Sequence, residues 1–185
     1  MRPTATLLVP VLLALAWPGG STAAQAIDPA RSRVEFDVRT RLGPMVRGRF
    51  PDYAGRVETL PDGRHRVRVR LAAAAVIVAG PARYTALARG PQLFDVDRHP
   101  EIEFVSEPYP ADLARTGGAL PGRLRLRGVE RTERFTLAPS GCARPGHDCP
   151  VIASGRIDRD DYGLEGWRWA LADTVRFRLH VRFDD

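Results

Sequence analysis

The sequence lacks lysine entirely, so all 28 of its basic side chains are arginine. In a chain rich in alanine and proline, this composition reflects genome base content more often than a chemistry of phosphate recognition. Long apolar runs are also scarce. After the first 26 residues no stretch approaches 18 apolar residues, so the mature chain is not expected to span a membrane. The length of 185 residues suits one domain with its own core.

The short motifs of common enzymes and metal sites are missing as well. There is no Gly-x-Ser-x-Gly, P-loop or dinucleotide fingerprint. Asp95 and Asp97 lie two apart, but nothing places them as an acid/base pair. The segment 158–169 resembles a calcium loop, yet Tyr162 and Trp169 occupy positions that require oxygen ligands. The histidines show no ligand-like spacing; they are His65, His99, His147 and His180. We therefore predict no catalytic residue, no metal and no cofactor.

Only two cysteines are present, Cys142 and Cys149, in the segment "CARPGHDC". A zinc site would need two more soft ligands, and His147 supplies only one, while a redox motif would need Cys-x-x-Cys. In an exported chain a disulfide is the default interpretation. Closing so short a loop predicts a stabilisation of roughly 2–3 kcal/mol.

The first 26 residues have the pattern of an export signal. Arg2 provides a positive start, the apolar stretch 7–17 is too short to span a bilayer, and Ala24-Gln25-Ala26 forms a cleavage pattern. No cysteine follows the cleavage position, which argues against a lipoprotein anchor. We therefore predict a signal peptide over residues 1–26, a domain over 27–185, and a periplasmic location.

Arginine alternates with aliphatic residues in "RHRVRVRL" (64–71), and similar rows follow in "GRLRLRG" (122–128) and "VRFRLHVRF" (175–183). Side chains alternate across a strand, so a half-buried antiparallel strand requires this pattern whatever its function. Sheets that bind nucleic acids usually expose aromatic residues among the basic ones. Here the strand aromatics fall mostly on the apolar face. We predict a solvated face and no nucleic-acid partner.

Eight to ten such short strands, separated by turn signals, predict an antiparallel sandwich or barrel. One segment departs from the strand period: "PARYTALA" (Pro81–Ala88) has a helical composition and begins with proline. We expect a short helix there, at one end of the sheet.

Five blocks occur in order along the chain: "IDPARSRVEFDV" (27–38), "VRGRFPDYAGRV" (46–57), "LFDVDRHPEIEF" (93–104), "GRLRLRGVER" (122–131) and "GRIDRDDYGL" (155–164). Together they resemble the bacterial YceI-like family, over about Ile27 to Phe183. The resemblance implies an all-β fold, an eight-stranded antiparallel lipocalin-like barrel with a short helix. It also implies a periplasmic setting and an apolar interior that holds an isoprenoid lipid, such as a quinone tail or a polyprenyl chain.

The chain departs from the family pattern at polar positions. Thr40 stands where the family often has histidine, and Pro44 stands near a family serine. In the helix, Tyr84 and Ala86 replace an aspartate and a histidine. If those groups hold a lipid headgroup in relatives, the contact is absent or rebuilt here.

Ten residues on the alternating apolar faces are our candidates for lining the interior. They are Val34, Phe36, Val38, Val67, Val69, Phe104, Leu124, Leu126, Phe177 and Leu179. The alternation of side chains along a strand does not by itself distinguish a cavity wall from a packed core. Two alternatives to a lipid carrier therefore stay open: an enzyme acting on a small apolar molecule, and an interaction module with a filled barrel. The oligomeric state is not predicted.

Overall fold

A computed structural model of the protein describes residues 24–184. The elements in chain order are β1 (Ala24–Ala26), β2 (Arg33–Thr40), β3 (Val46–Arg49), β4 (Tyr53–Thr59), β5 (His65–Ala72), β6 (Ile77–Val78), α1 (Ala82–Arg89), β7 (Glu101–Ser106), α2 (Leu113–Thr116), β8 (Gly118–Leu126), β9 (Val129–Leu137), β10 (Val151–Asp158) and β11 (Leu171–Val181). Most of the predicted leader, residues 1–23, lies outside the described residues, and Ala24–Ala26 form β1. No helix in the described range has the length and apolar character needed to cross a membrane.

All strands join one antiparallel sheet in the order β1-β4-β5-β7-β8-β9-β10-β11-β2-β3-β6. The predicted all-β antiparallel fold is confirmed, but the predicted count of eight strands is wrong, because the described sheet has eleven. Eight of these strands have six or more residues, and the other three, β1, β3 and β6, have two to four. The short strands extend the two edges of the sheet, where pairing depends on tertiary contacts rather than on a sequence period.

The sheet curls into a half-barrel, and the segment around Ile27 links its first edge to the chain end. The Ile27 amide donates to Gly55 of β4 at 2.8 Å, and the Asp28 amide donates to the Arg182 carbonyl at 2.9 Å. The Asp184 amide in turn donates to the carbonyl of Ala26 at 3.0 Å. This segment therefore bridges β4 and the residues that follow β11.

The arginine rows lie on the outer face and pair with an acid across the strands. Arg68 and Arg70 of β5 donate to Glu103 of β7 at 3.0 and 3.1 Å, and Arg125 of β8 donates to it at 3.2 Å. Burial favours the neutral carboxyl, but the Arg70 hydrogen bond and the three positive charges outweigh it and hold the pKa of Glu103 below its ordinary value. Alternation thus leaves Val69 and Leu71 buried on the inner face.

The predicted helix is present as α1, which begins after Pro81 and ends at Arg89. Pro81 is the N-cap residue with an extended ψ of 143°, and its carbonyl accepts the Tyr84 amide at 2.9 Å. The Thr85 hydroxyl accepts the Val78 amide hydrogen at 2.9 Å and so ties α1 to β6. Ala88 is the buried residue of the helix. α1 therefore covers one end of the half-barrel.

The predicted disulfide between Cys142 and Cys149 is confirmed. It closes the loop that joins β9 to β10. Gly146, within this loop, has φ of +91° and lies against the Phe183 ring, where a Cβ atom would come within 2.2 Å. Its carbonyl accepts the Phe183 amide at 3.0 Å. The loop therefore packs on the last residues of the chain, at the end of the half-barrel opposite α1.

Candidate functional site: two apolar cavities

Two cavities occupy the interior of the half-barrel in the described chain. We call them the base cavity, about 110 Å³, and the mouth cavity, about 300 Å³. The walls of the base cavity come from all eight of the longer strands. A flat sheet cannot bring side chains from eight strands around one space, so the curvature of the sheet creates this site.

The base cavity is lined by apolar side chains. Its walls include Ile27, Tyr109 and Phe183 at the end nearest the disulfide loop. None of its described lining residues is exposed, and none is charged. Burial raises the pKa of the Tyr109 phenol to about 12, because desolvation disfavours the charged phenolate. Such a space favours an apolar occupant.

The mouth cavity lies between the sheet, α1 and the segment before β11. Tyr84 and Leu87 of α1 line it and are exposed, and Trp169 lines it with 74% of its surface exposed. The rings of Trp167 and Trp169 are 5.7 Å apart, and Trp167 has φ of +62°. The exposed lining residues show that this cavity reaches the surface.

Phe177 separates the two cavities. Among the described residues it alone lines both. Its ring centroid lies 6.2 Å from that of Phe36 on the mouth side and 6.5 Å from that of Phe135 on the base side. A long occupant that filled both cavities would have to displace this ring.

The structure brings the ten predicted lining residues onto the walls of these cavities. The base cavity is lined by Val34, Val67, Val69, Phe104, Leu124, Phe177 and Leu179. The mouth cavity is lined by Phe36, Val38, Leu126 and Phe177. Seven of the ten are buried, and Val67, Phe104 and Leu179 are partly buried. Whether a ligand touches them remains a prediction.

Sequence reasoning missed much of the mouth cavity. Leu93 and Phe94 lie in the loop before β7, and Leu164 lies in the loop before β11. Loops have no fixed period, so strand alternation did not mark these residues as lining, although all three stand in the family-like blocks 93–104 and 155–164. Strand alternation could have identified further lining residues. Leu71 lies two positions after Val69 on β5, so it faces the same side, and it also lines the base cavity.

The mouth cavity also contains a buried cation, Arg159, directly after β10. Its side chain donates to the carbonyls of Leu164, at 2.7 Å, and of Gly166. It reaches the carbonyl of Ala172 at 3.4 Å. These bonds hold the loop before β11 against the end of β10. No local pattern predicts this burial, because Arg159 belongs to a polar run.

Comparison with known proteins identifies the family. A family model described as "YceI-like domain" matches residues 25–183. The chain belongs to the YceI-like family.

Three solved protein structures share the fold of this YceI-like protein. Burkholderia cenocepacia BcnA is 21% identical, with 84% of this chain and 98% of that chain covered and a TM-score of 0.68. A polyisoprenoid binding domain from Saccharophagus degradans, implicated in plant cell wall breakdown, is 14% identical, with 89% of this chain and 99% of that chain covered and a TM-score of 0.64. A Campylobacter jejuni YCEI protein is 19% identical (75% and 84% covered, TM-score 0.60). Comparison with curated proteins found no match.

The positions at which this YceI-like chain departs from the family pattern fall around the mouth. Thr40 and Tyr84 line the mouth cavity, whereas Ala86 does not and is exposed. The Thr40 hydroxyl donates to the Pro44 carbonyl at 2.8 Å. That hydroxyl is therefore engaged within its own loop.

Proposed function

We propose that this protein is a periplasmic binding and carrier protein for an isoprenoid lipid, a quinone tail or a polyprenyl chain held in the barrel interior. The observation that carries the proposal is the pair of apolar cavities on either side of Phe177, of which the mouth cavity reaches the surface. Moving an apolar tail from water into such a space gains about 25 cal/mol per Å² of buried surface. Membership of the YceI-like family and the polyisoprenoid-binding neighbour support the same ligand class.

Two alternatives are less well supported. A filled interaction module would leave no internal space of this size. An enzyme would need converging reactive groups, and among the described residues no three His, Cys, Asp or Glu side chains cluster as metal ligands would. The walls of the base cavity offer only the Tyr109 hydroxyl as a polar side-chain group.

Export is part of the proposal and rests on the leader pattern of residues 1–26. Cleavage after Ala26 would remove β1, which pairs with β4 from Ala24↔Glu58 to Ala26↔Arg56. It would leave Ile27 and its bond to Gly55 in place. Intact-mass measurement of periplasmic protein should place the first residue at or near Ile27. A periplasmic form that retains residues 1–26 would contradict this.

The direct test of the ligand is extraction. Protein purified from the periplasm of its own host should yield an isoprenoid lipid on organic extraction and mass spectrometry. Titration with isoprenoids of increasing length, followed by the fluorescence of Trp167 and Trp169, should show affinity that rises with tail length until the interior is full. Equal and negligible binding at every length, with the fold intact, would refute the carrier function and favour the interaction module.

A further inference from the structure

Arg159 is the single charged residue among the described residues that line either cavity. Only 3% of its surface is exposed to solvent. Guanidinium groups avoid apolar surroundings unless hydrogen bonds and an opposite charge compensate them. In an otherwise apolar mouth cavity, Arg159 therefore requires hydrogen-bond acceptors and a compensating negative charge.

The hydrogen bonds of Arg159 leave part of its guanidinium free. The group carries five N–H donors. Nη2 donates to the carbonyls of Leu164 and Gly166, and Nη1 reaches that of Ala172. Within residues 24–184, the Nε–H and the second hydrogen on Nη1 have no protein acceptor. Every fully buried side-chain nitrogen or oxygen in this range has a hydrogen-bond partner. The Nε atom of Arg159 has none, so it is not fully buried and faces accessible space.

The charge of Arg159 is likewise not neutralised by a direct contact. All its acceptors are neutral carbonyls, and no carboxylate oxygen of the described residues lies within 4 Å of it. Asp160 is held by Arg168 at 2.8 Å, and Asp173 is held by Arg41 at 3.4 Å. Asp160 and Asp173 are therefore engaged with other cations.

Burial lowers the pKa of the Arg159 guanidinium, and nearby carboxylates only partly offset this effect; they are Asp173, Asp160 and Asp158. Arginine nevertheless stays protonated in proteins. An anion that entered the mouth cavity would therefore meet a desolvated positive charge with free donors. Carboxylate and phosphate groups match the planar donor geometry of a guanidinium, and hydrogen bonds between opposite charges are among the strongest in proteins.

We propose that Arg159 binds the acidic headgroup, a carboxylate or a phosphate, of the isoprenoid lipid. This inference rests on the proposed function, because the tail would occupy the apolar walls while the headgroup stays in the mouth cavity. A neutral alcohol of the same tail would leave the free N–H groups without an anion. The preference for acid over alcohol is thus the property that Arg159 would confer.

The test uses three probes with one fifteen-carbon tail: farnesol, farnesoic acid and farnesyl phosphate. Wild-type protein should bind the acid, the phosphate or both at least tenfold more tightly than the alcohol. Arg159→Gln should abolish that preference, so that the acid and the phosphate bind no more tightly than the alcohol. A merely structural role of Arg159 would instead weaken all three probes together.

The matched control is Arg168→Gln. Arg168 also lies in the segment before β11, but its side chain is half exposed and it pairs with Asp160 and Glu165. It should keep the acid preference. The preference should also survive added salt, because a buried ion contact is screened less than a surface one.

Each outcome has one interpretation. If wild type binds all three probes equally, the inference on Arg159 is overturned and the carrier function stands. If it binds none, the carrier function itself fails. Tight binding of the phosphate or of the carboxylate alone identifies the headgroup. If Arg159→Gln does not fold, the wild-type ratio still decides, and Arg159→Lys, which keeps the charge, should retain an acid preference.

Discussion

Ala153→Phe should shorten the longest isoprenoid tail that the protein accepts. Ala153 is buried on β10, lines the base cavity and pairs with Leu137 and Leu179 on the neighbouring strands. A benzene molecule fits a cavity of about 150 Å³, and the base cavity measures about 110 Å³. The added ring should therefore fill the base cavity and press on its walls, at a cost of roughly 1–3 kcal/mol in stability.

The same scale gives the loss of binding. At about 150 Å³ for six carbons, the mouth cavity holds roughly two five-carbon units and the base cavity roughly one. Burying one unit is worth at most about 4 kcal/mol, at ~0.8 kcal/mol per carbon. If ordering the tail halves that value, the variant should bind a three-unit tail about 2 kcal/mol, or roughly thirtyfold, more weakly than wild type.

The assay is calorimetric titration with tails of one to four units that share one headgroup. Wild-type affinity should rise to about three units and then level off, whereas Ala153→Phe should level off at about two. Ser154→Phe is the matched control, because the next residue on β10 is exposed on the outer face and should not change the profile. Thermal melting checks the fold of each variant. Identical profiles for wild type and a folded Ala153→Phe would show that the tail does not enter the base cavity.

Three further results concern stability. Replacing Cys142 and Cys149 by serine should lower the free energy of unfolding by about 2–3 kcal/mol in urea titrations, with little change in ligand affinity; an unchanged urea midpoint would contradict this. Glu103→Gln should cost about 1 kcal/mol at pH 7. The pKa of Glu103 in the folded state lies below 4.5, so the difference in stability between wild type and variant should vanish as the pH falls from 4.5 through the folded-state pKa. Glu130 is more exposed, so Glu130→Gln should cost less stability. Burial raises the pKa of Tyr109 from 10 to about 12, so its contribution to stability should be constant below pH 10 and should fall as the pH rises from 10 through about 12. A Tyr109→Phe variant that loses stability equally steeply over this range would refute the prediction.

Strand parity predicted the inner face of the sheet well. Val67 and Val69 alternate with arginines, and such alternation is a local property that one strand reveals by itself. The division of the interior was not predictable in the same way. It depends on Phe177, Phe36 and Phe135, whose rings meet across strands that are distant in sequence.

Two further features, strand β6 and the burial of Arg159, were not predicted from the sequence for a related reason. The two-residue strand β6 exists because Ile77 and Val78 meet β3, so its pairing is a tertiary contact without a period of its own. Arg159 belongs to a run of charged residues, and composition predicts that such residues are solvated. Its burial depends on carbonyls of the loop before β11, which no local pattern encodes.

The pairing of β2 with β11 has a consequence for how the chain folds. Phe36 lies opposite Phe177, 141 positions later in the sequence. Contacts of such separation slow folding, because the chain must close a long loop before the pairing stabilises it. Until Leu171–Val181 have emerged, both β2 and β10 present unpaired backbone edges, which invite association with other chains. A chain released without β11 should therefore aggregate, whereas one that reaches its last strand completes the sheet in a single late step.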